Sequence, residues 1–178
     1  MKNKIKISHV PFFHVIVAVD DYPAMKKPLL KLMANINNPV DQSTQKLSNQ
    51  DFFNPTEESR EYIDFFIESI RPEMIALFNV LNAKDILIKN IWFQQYKKGD
   101  SHSWHTHVDC MFSNIFYLEK PPGTDTEFFN YETQQPYAPI KVDEGSLLVF
   151  PSYISHRSKP NPSDKRKTII SFNTNLLT

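Results

Sequence analysis

The sequence predicts an α+β fold in which helices come first and a run of antiparallel strands then closes into a barrel-like β-sandwich. Apolar residues recur at helical spacing up to Leu81, and from Ile86 onward the period shortens to that of strands. Gly, Pro, Asn and Asp punctuate that second half at short intervals. At 178 residues the chain is about one domain long and can bury a core without disulfides or a structural metal. One domain over 1–178 is expected, with a strand and supporting helices in 1–84 and the β core in 85–178.

Phe12 to Val19 is a β-branched and aromatic run that predicts a strand. Asp21 is placed to cap a helix with Pro23 in its first turn. Leu29, Leu30, Leu32, Met33 and Ile36 give that helix an apolar face before Asn37-Asn38-Pro39 stops it. Residues 39 to 53 predict a loop. A second helix has Asn54 as cap, Pro55 in the first helical position and Glu57 as capping-box partner. Its stripe of Ile63, Phe66, Ile67, Ile70, Met74, Leu77, Phe78 and Leu81 predicts packing on a sheet, and Pro72 predicts a kink or a split. Strands are then expected at Ile86–Ile88, Ile91–Phe93, Asn114–Leu118, Thr126–Phe129, Leu147–Phe150 and Thr168–Phe172, with a loop from Pro121 to Pro139.

Lys plus Arg equals Asp plus Glu at 20 each, so no global field attracts nucleic acid, an anionic membrane or an acidic substrate. Neither nucleic acid nor membrane is expected as a partner. Cys110 is the only cysteine, which excludes an internal disulfide and suits a reducing cytoplasm. The N-terminal stretch is interrupted by His9, Pro11 and His14, unlike a signal peptide. No apolar run is long enough for a membrane-spanning helix.

The chemistry concentrates in a few histidines. His102, His105, His107 and Asp109 lie within eight residues, and His156 stands alone beyond a strand. Alternate residues of an extended strand share a face, so His105, His107 and Asp109 would project together. Two histidines and one carboxylate on one side of a metal leave three positions open, the arrangement of non-haem Fe(II) oxygenases. Arg166 opens a strand ten residues after His156. Its guanidinium can grip a carboxylate bidentately, and the Thr168 hydroxyl lies on the same face.

Five stretches carry a resemblance: Tyr96 to Gly99, Trp104-His-Thr-His-Val-Asp109, Phe112 to Leu118, Gly145 to His156, and Arg166-Lys-Thr-Ile-Ile-Ser-Phe-Asn173. Together they resemble the 2-oxoglutarate/Fe(II)-dependent oxygenases, within them the branch with a His-x-His motif, over about residues 86 to 174. The resemblance implies a double-stranded β-helix core of the jelly-roll, cupin-like kind. It further implies His156 as the distal iron ligand and Arg166 as partner of the far carboxylate of 2-oxoglutarate, with Tyr117 and Tyr96 as further co-substrate contacts. The proximal pair stays open. The usual His-x-Asp pattern gives His107 and Asp109, whereas spacing from Gly99 gives His105 and His107, as in cupins. Charge favours His107, Asp109 and His156, because a carboxylate offsets part of the Fe(II) charge, with His105 beside them or exchanging into the shell. His102 is expected to face solvent.

The activity so implied is oxidation of a peptide or small molecule, by default hydroxylation, with O2 and 2-oxoglutarate consumed and succinate and CO2 released. A cupin-like three-histidine dioxygenase or isomerase that does not use 2-oxoglutarate competes with this, as does a non-catalytic β-sandwich. The substrate and oligomeric state are not encoded in any motif. Trp92, Trp104, Phe128, Phe129, Tyr131 and Tyr137 are expected around the mouth.

Overall fold

The computed structural model describes residues 4–36, 38, 40–41, 45–52 and 60–177. Strands β1 (Ile5–Ser8) and β2 (His14–Ala18) lead into helix α1 (Tyr22–Met33). Three short strands follow, β3 (Val40–Asp41), β4 (Gln45–Leu47) and β5 (Asn49–Gln50), and then helix α2 (Tyr62–Leu81). The rest is β6 (Asp85–Tyr96), β7 (Ser101–His105), β8 (Phe112–Glu119), β9 (Glu127–Asn130), β10 (Gln135–Pro136), β11 (Ser146–Pro151), β12 (His156–Ser158) and β13 (Lys167–Leu177). Among the described residues no helix is long and apolar enough to cross a membrane.

These strands form two antiparallel sheets, a major one in the order β1-β2-β11-β8-β13-β6-β5 and a minor one in the order β10-β9-β12-β7-β4-β3. The facing pair is the double-stranded β-helix implied by the resemblance. Central strands of the major sheet are apolar on both faces because both faces are covered. Phe116, Leu118, Leu147, Val149, Ile170 and Phe172 pack under the helices, while Ile115, Tyr117, Leu148, Phe150 and Ile169 pack toward the minor sheet. Met25, Leu29 and Met33 of α1 and Tyr62, Phe66, Ile70, Met74 and Leu77 of α2 supply the helical side of that first core.

Several local expectations are corrected. Asp21 precedes α1 but makes no side-chain capping bond. The span expected as a loop from residue 39 contains β3, β4 and β5, because the edges of β6 and β7 offer unpaired backbone groups that these short segments satisfy. Asn54, Pro55 and Glu57 lie outside the described residues. Pro72 sits inside one unbroken α2. That helix stops at Asn82, whose left-handed φ of 53° suits a helix terminus. The runs at 86–88 and 91–93 are one strand, whose register slips opposite Asn173 and Thr174. Residues 121–139 contain β9 and β10 and so extend the minor sheet. The β structure also reaches beyond the C-terminal half, since β2 pairs with β11 and β4 pairs with β7.

Asp51 fastens the start of α2 to the major sheet. Its carboxylate accepts from Phe93 N–H at 2.8 Å, Tyr62 Oη–H at 2.6 Å and Arg60 Nε–H at 2.8 Å. The Asp51 side chain is wholly buried. Burial and the adjacent carboxylate hold the Tyr62 phenol well above its ordinary pKa, so it donates at any physiological pH. Replacing Asp51 with Ala would strand three donors, one of them charged. The expected loss is about 3 to 5 kcal/mol, read as a lowered midpoint in chemical unfolding.

Candidate active site

The site lies between the sheets, where β12 runs antiparallel to β7 and His156 is the direct partner of His105. Strand pairing therefore places two imidazoles side by side. Their ring centroids are 4.2 Å apart, and His107, just past the end of β7, adds a third ring at 5.2 Å from each. The ligand-capable atoms of His105, His107 and His156 all lie within 4.8 Å of one another. His105 Nδ1 is 2.7 Å from the Ser103 carbonyl and His156 Nδ1 is 3.0 Å from the Ile154 carbonyl. A carbonyl only accepts, so each Nδ1 carries the proton and each Nε2 keeps its lone pair.

His107 is held differently. Its backbone N–H donates to the Ser152 carbonyl at 3.1 Å, and Ser152 N–H donates to the Met111 carbonyl at 3.0 Å, so the turns on either side of the site are tied together. Asp109 does not join the group. The strand ends at His105, the alternation that would have aligned residue 109 ends with it, and Asp109 sits exposed at φ 59°. The pair brought together is thus His105 with His107, and the pairing of His107 with Asp109 is not formed.

Arg166 does not line the cavity at this site. Arg166 is 41% exposed in its side chain and pairs with Glu119 at 2.8 Å. Thr168 is buried but also donates to Glu119. Thr168 shares its parity along β13 with Ile170 and Phe172, which pack under the helices, and Arg166 immediately precedes the strand. The opposite parity carries Lys167, Ile169 and Ser171, which line the cavity beside His102, His105 and His156. Lys167 Nζ donates to Ser158 Oγ at 2.9 Å and lies over the rings of Tyr96 at 5.1 Å and Tyr117 at 5.9 Å. Tyr96 lines the cavity, whereas the Tyr117 hydroxyl is engaged with Thr126 Oγ1 at 2.7 Å.

His102 faces inward too. β7 and β12 pair as His156 with His105 and Ser158 with His102, so between these pairs two residues of β7, Ser103 and Trp104, stand against one of β12, Arg157. Such a bulge shifts side-chain parity by one and turns His102 to the same face as His105. Their rings stack at 4.0 Å.

No acidic side chain lines this cavity among the described residues. Burial, then mutual repulsion, lowers the histidines. His107 falls to about 4, His102 to about 3, and His156 well below its ordinary value, while burial alone lowers His105. All four are neutral at physiological pH and able to act as ligands or hydrogen-bond donors. Burial, then the charge of Lys120, brings Lys167 down to about 7.

Residues 90–173 match the family described as "Putative 2OG-Fe(II) oxygenase". This segment belongs to the 2OG-Fe(II) oxygenase superfamily. It makes up just under half of the chain. No curated protein matches the sequence. Among solved structures, a prolyl-4-hydroxylase of Pseudomonas putida is similar at 17% identity with a TM-score of 0.63, covering 91% of each chain. A viral collagen prolyl hydroxylase from Paramecium bursaria Chlorella virus-1, solved as a 2OG complex, is also 17% identical, with a TM-score of 0.55 over 92% of this chain and 96% of that one. The non-haem α-ketoglutarate-dependent epimerase SnoN from nogalamycin biosynthesis shares the fold at 10% identity, with a TM-score of 0.69 over 90% of this chain and 76% of that one. At these identities the likeness establishes the shared double-stranded β-helix.

The iron of the 2OG-Fe(II) oxygenases has a fitting donor set here. Three neutral imidazole nitrogens, two of them oriented by backbone carbonyls, suit Fe(II). The aromatic wall around them is Phe150 at 4.8 Å from the His156 ring and Trp92 at 5.7 Å from the His107 ring. Of the aromatics expected at the mouth, Phe128 is buried between the sheets, and Trp104 stacks under Arg157 at 4.4 Å and beside Phe129 at 5.3 Å. Tyr131 is exposed and Tyr137 packs against the second core. Sequence reasoning missed Lys167, Ser158 and the inward turn of His102. The parity of Ser171, a polar residue within the apolar run of β13, was the signal that could have found Lys167.

The lowered histidines make the metal-free protein acid-sensitive. An unfolded histidine takes up its proton near 6.5, whereas folded His107 and His102 do so only near 4 and 3. Stability present above pH 6.5 is therefore lost progressively as pH falls toward those values. Thermal unfolding of the metal-free protein should show this decline, and a His102→Gln, His107→Gln double variant should show a shallower one. A divalent metal ion should raise the midpoint at pH 7 in the wild type, and this gain should vanish in His156→Ala.

Proposed function

We propose that this protein is an Fe(II)- and 2-oxoglutarate-dependent dioxygenase in which His105, His107 and His156 hold the metal and Lys167 holds the far carboxylate of 2-oxoglutarate. The observation that carries this reading is the convergence of His105, His107 and His156 beside a cavity that His105, His156 and the buried Lys167 line, with no acidic side chain lining it among the described residues. Such a cavity calls for a metal and an anion together. Three neutral ligands leave the ion's charge uncompensated inside the protein, and a dianionic co-substrate supplies the balance that a ligating carboxylate otherwise would. Bound iron supplies the centre at which O2 and a 2-oxo acid react, the acid leaving as succinate and CO2 while a C–H bond of the substrate is oxidised.

The chain's own residues position and exclude. The carbonyls of Ser103 and Ile154 fix two of the imidazoles, while Phe128 and Phe150 pack beside His156 and keep water from its inner side. Ser158 and the faces of Tyr96 and Tyr117 hold the lysine ammonium in place. Hydroxylation of a peptide or small molecule is the default outcome of this reading. One domain in a reducing cytoplasm, with residues from 85 onward as catalytic core, completes it.

A cupin-like three-histidine dioxygenase that ignores 2-oxoglutarate is the competing reading. The all-histidine group favours it, as does the outward placement of Arg166. Lys167 is what counts against it.

Anaerobic titration separates the two. Fe(II) followed by 2-oxoglutarate should give a visible metal-to-ligand charge-transfer band, and its absence in a protein that binds Fe(II) would refute the first reading. Lys167→Met should weaken 2-oxoglutarate roughly 100-fold, whereas Arg166→Ala should change it less than about twofold. The affinity should also depend on pH through Lys167, whose free amine titrates near 7. Below that pH the amine is already charged. Above it, binding must take up a proton, so affinity should fall by up to about tenfold per pH unit.

A further inference from the structure

His102 is positioned by features that iron binding does not require. In a regular strand residues three apart face opposite ways, yet the bulge between β7 and β12 turns His102 and His105 to one side. The His102 ring lies nearly parallel to that of His105, at 4.0 Å and 18°. Its Nδ1 is 3.3 Å from Gln94 Nε2. With the Gln94 amide donating, the ring's own proton stands on Nε2.

The pairing of β7 with β12 gives the cavity two rungs. One is His105 opposite His156, the metal end. The other is His102 opposite Ser158, and Ser158 is the residue that receives the Lys167 ammonium at 2.9 Å. Along β12 the rungs are two residues apart, roughly 7 Å. A five-carbon diacid held at its keto-acid end is long enough to reach from the first rung to the second.

We infer that His102 is a second anchor for the far carboxylate, its Nε2–H donating to one carboxylate oxygen while Lys167 engages the other. The inference rests on reading the cavity as a 2-oxoglutarate site, and it adds a residue that selects diacids over monoacids. A neutral donor is suited to this place. Lys167 shares the lining with Arg157, which is paired with Glu127, and an imidazole N–H adds a hydrogen bond to a charged acceptor without bringing a further cation against them.

The test compares two probes on the Fe(II)-loaded protein under anaerobic conditions, 2-oxoglutarate and 2-oxovalerate, the latter having a methyl group in place of the far carboxylate. His102→Phe keeps the stacked ring and removes the N–H. It should weaken 2-oxoglutarate about tenfold while leaving 2-oxovalerate and Fe(II) binding within about twofold. His102→Gln, which restores a donor, should recover most of the loss, and His102→Ala provides the same comparison should the Phe variant not fold. Equal weakening of both acids would mean that His102 acts through the ring of His105, and unchanged 2-oxoglutarate affinity would mean that it does not touch the carboxylate. Either result overturns the inference. A wild-type protein that binds Fe(II) and gives no band with 2-oxoglutarate instead overturns the parent reading, and this inference with it.

Discussion

The pairing of β12 against β7 is the constraint on which the rest of the site depends. It sets His156 opposite His105 and Ser158 opposite His102, and so fixes the spacing between the imidazole cluster and the contact of Ser158 with Lys167 on one strand pair. β12 is only three residues long and contributes little stability of its own. Its position is enforced from outside, by β9 on its other edge and by the turn in which Phe129 N–H donates to the Ser155 carbonyl at 2.9 Å. Large aromatic side chains between the sheets keep this part of the minor sheet against the major one.

The electrostatics of the cavity follow from that geometry. Burial keeps the four imidazoles uncharged and brings the lysine close to neutrality. A buried ammonium with a serine and two tyrosine rings as its company is costly to maintain. Arg166 contrasts with it, since its exposed pair with Glu119 contributes little either way. The Asp51 network shows the opposite policy, where a buried carboxylate is satisfied three times over by the protein alone.

Much of the architecture was legible because hydrophobic periodicity is a local property. The stripe from Ile63 to Leu81 and the doubly buried runs of β8, β11 and β13 all express which faces are covered. Short edge strands such as β3, β4 and β5 were not legible, since a two- or three-residue strand exists only where a neighbour offers unpaired backbone. At the site, His105, His107 and His156 were visible as residue types in an uneven distribution. The roles of Asp109 and Arg166 were not, because each depends on parity, and parity is reset wherever a strand ends or bulges.

The sequence by itself determined the order of helices and strands, the family resemblance over its second half, and the histidines from which a metal site could be built. Only the tertiary structure decided which of them converge, that Lys167 and not its neighbour enters the cavity, and that His102 turns inward. The physical reason is that a strand exposes successive side chains on opposite faces. A single added residue in the pairing, or the point at which β7 stops, inverts which side chain reaches the site, and neither event has a signature in composition or spacing.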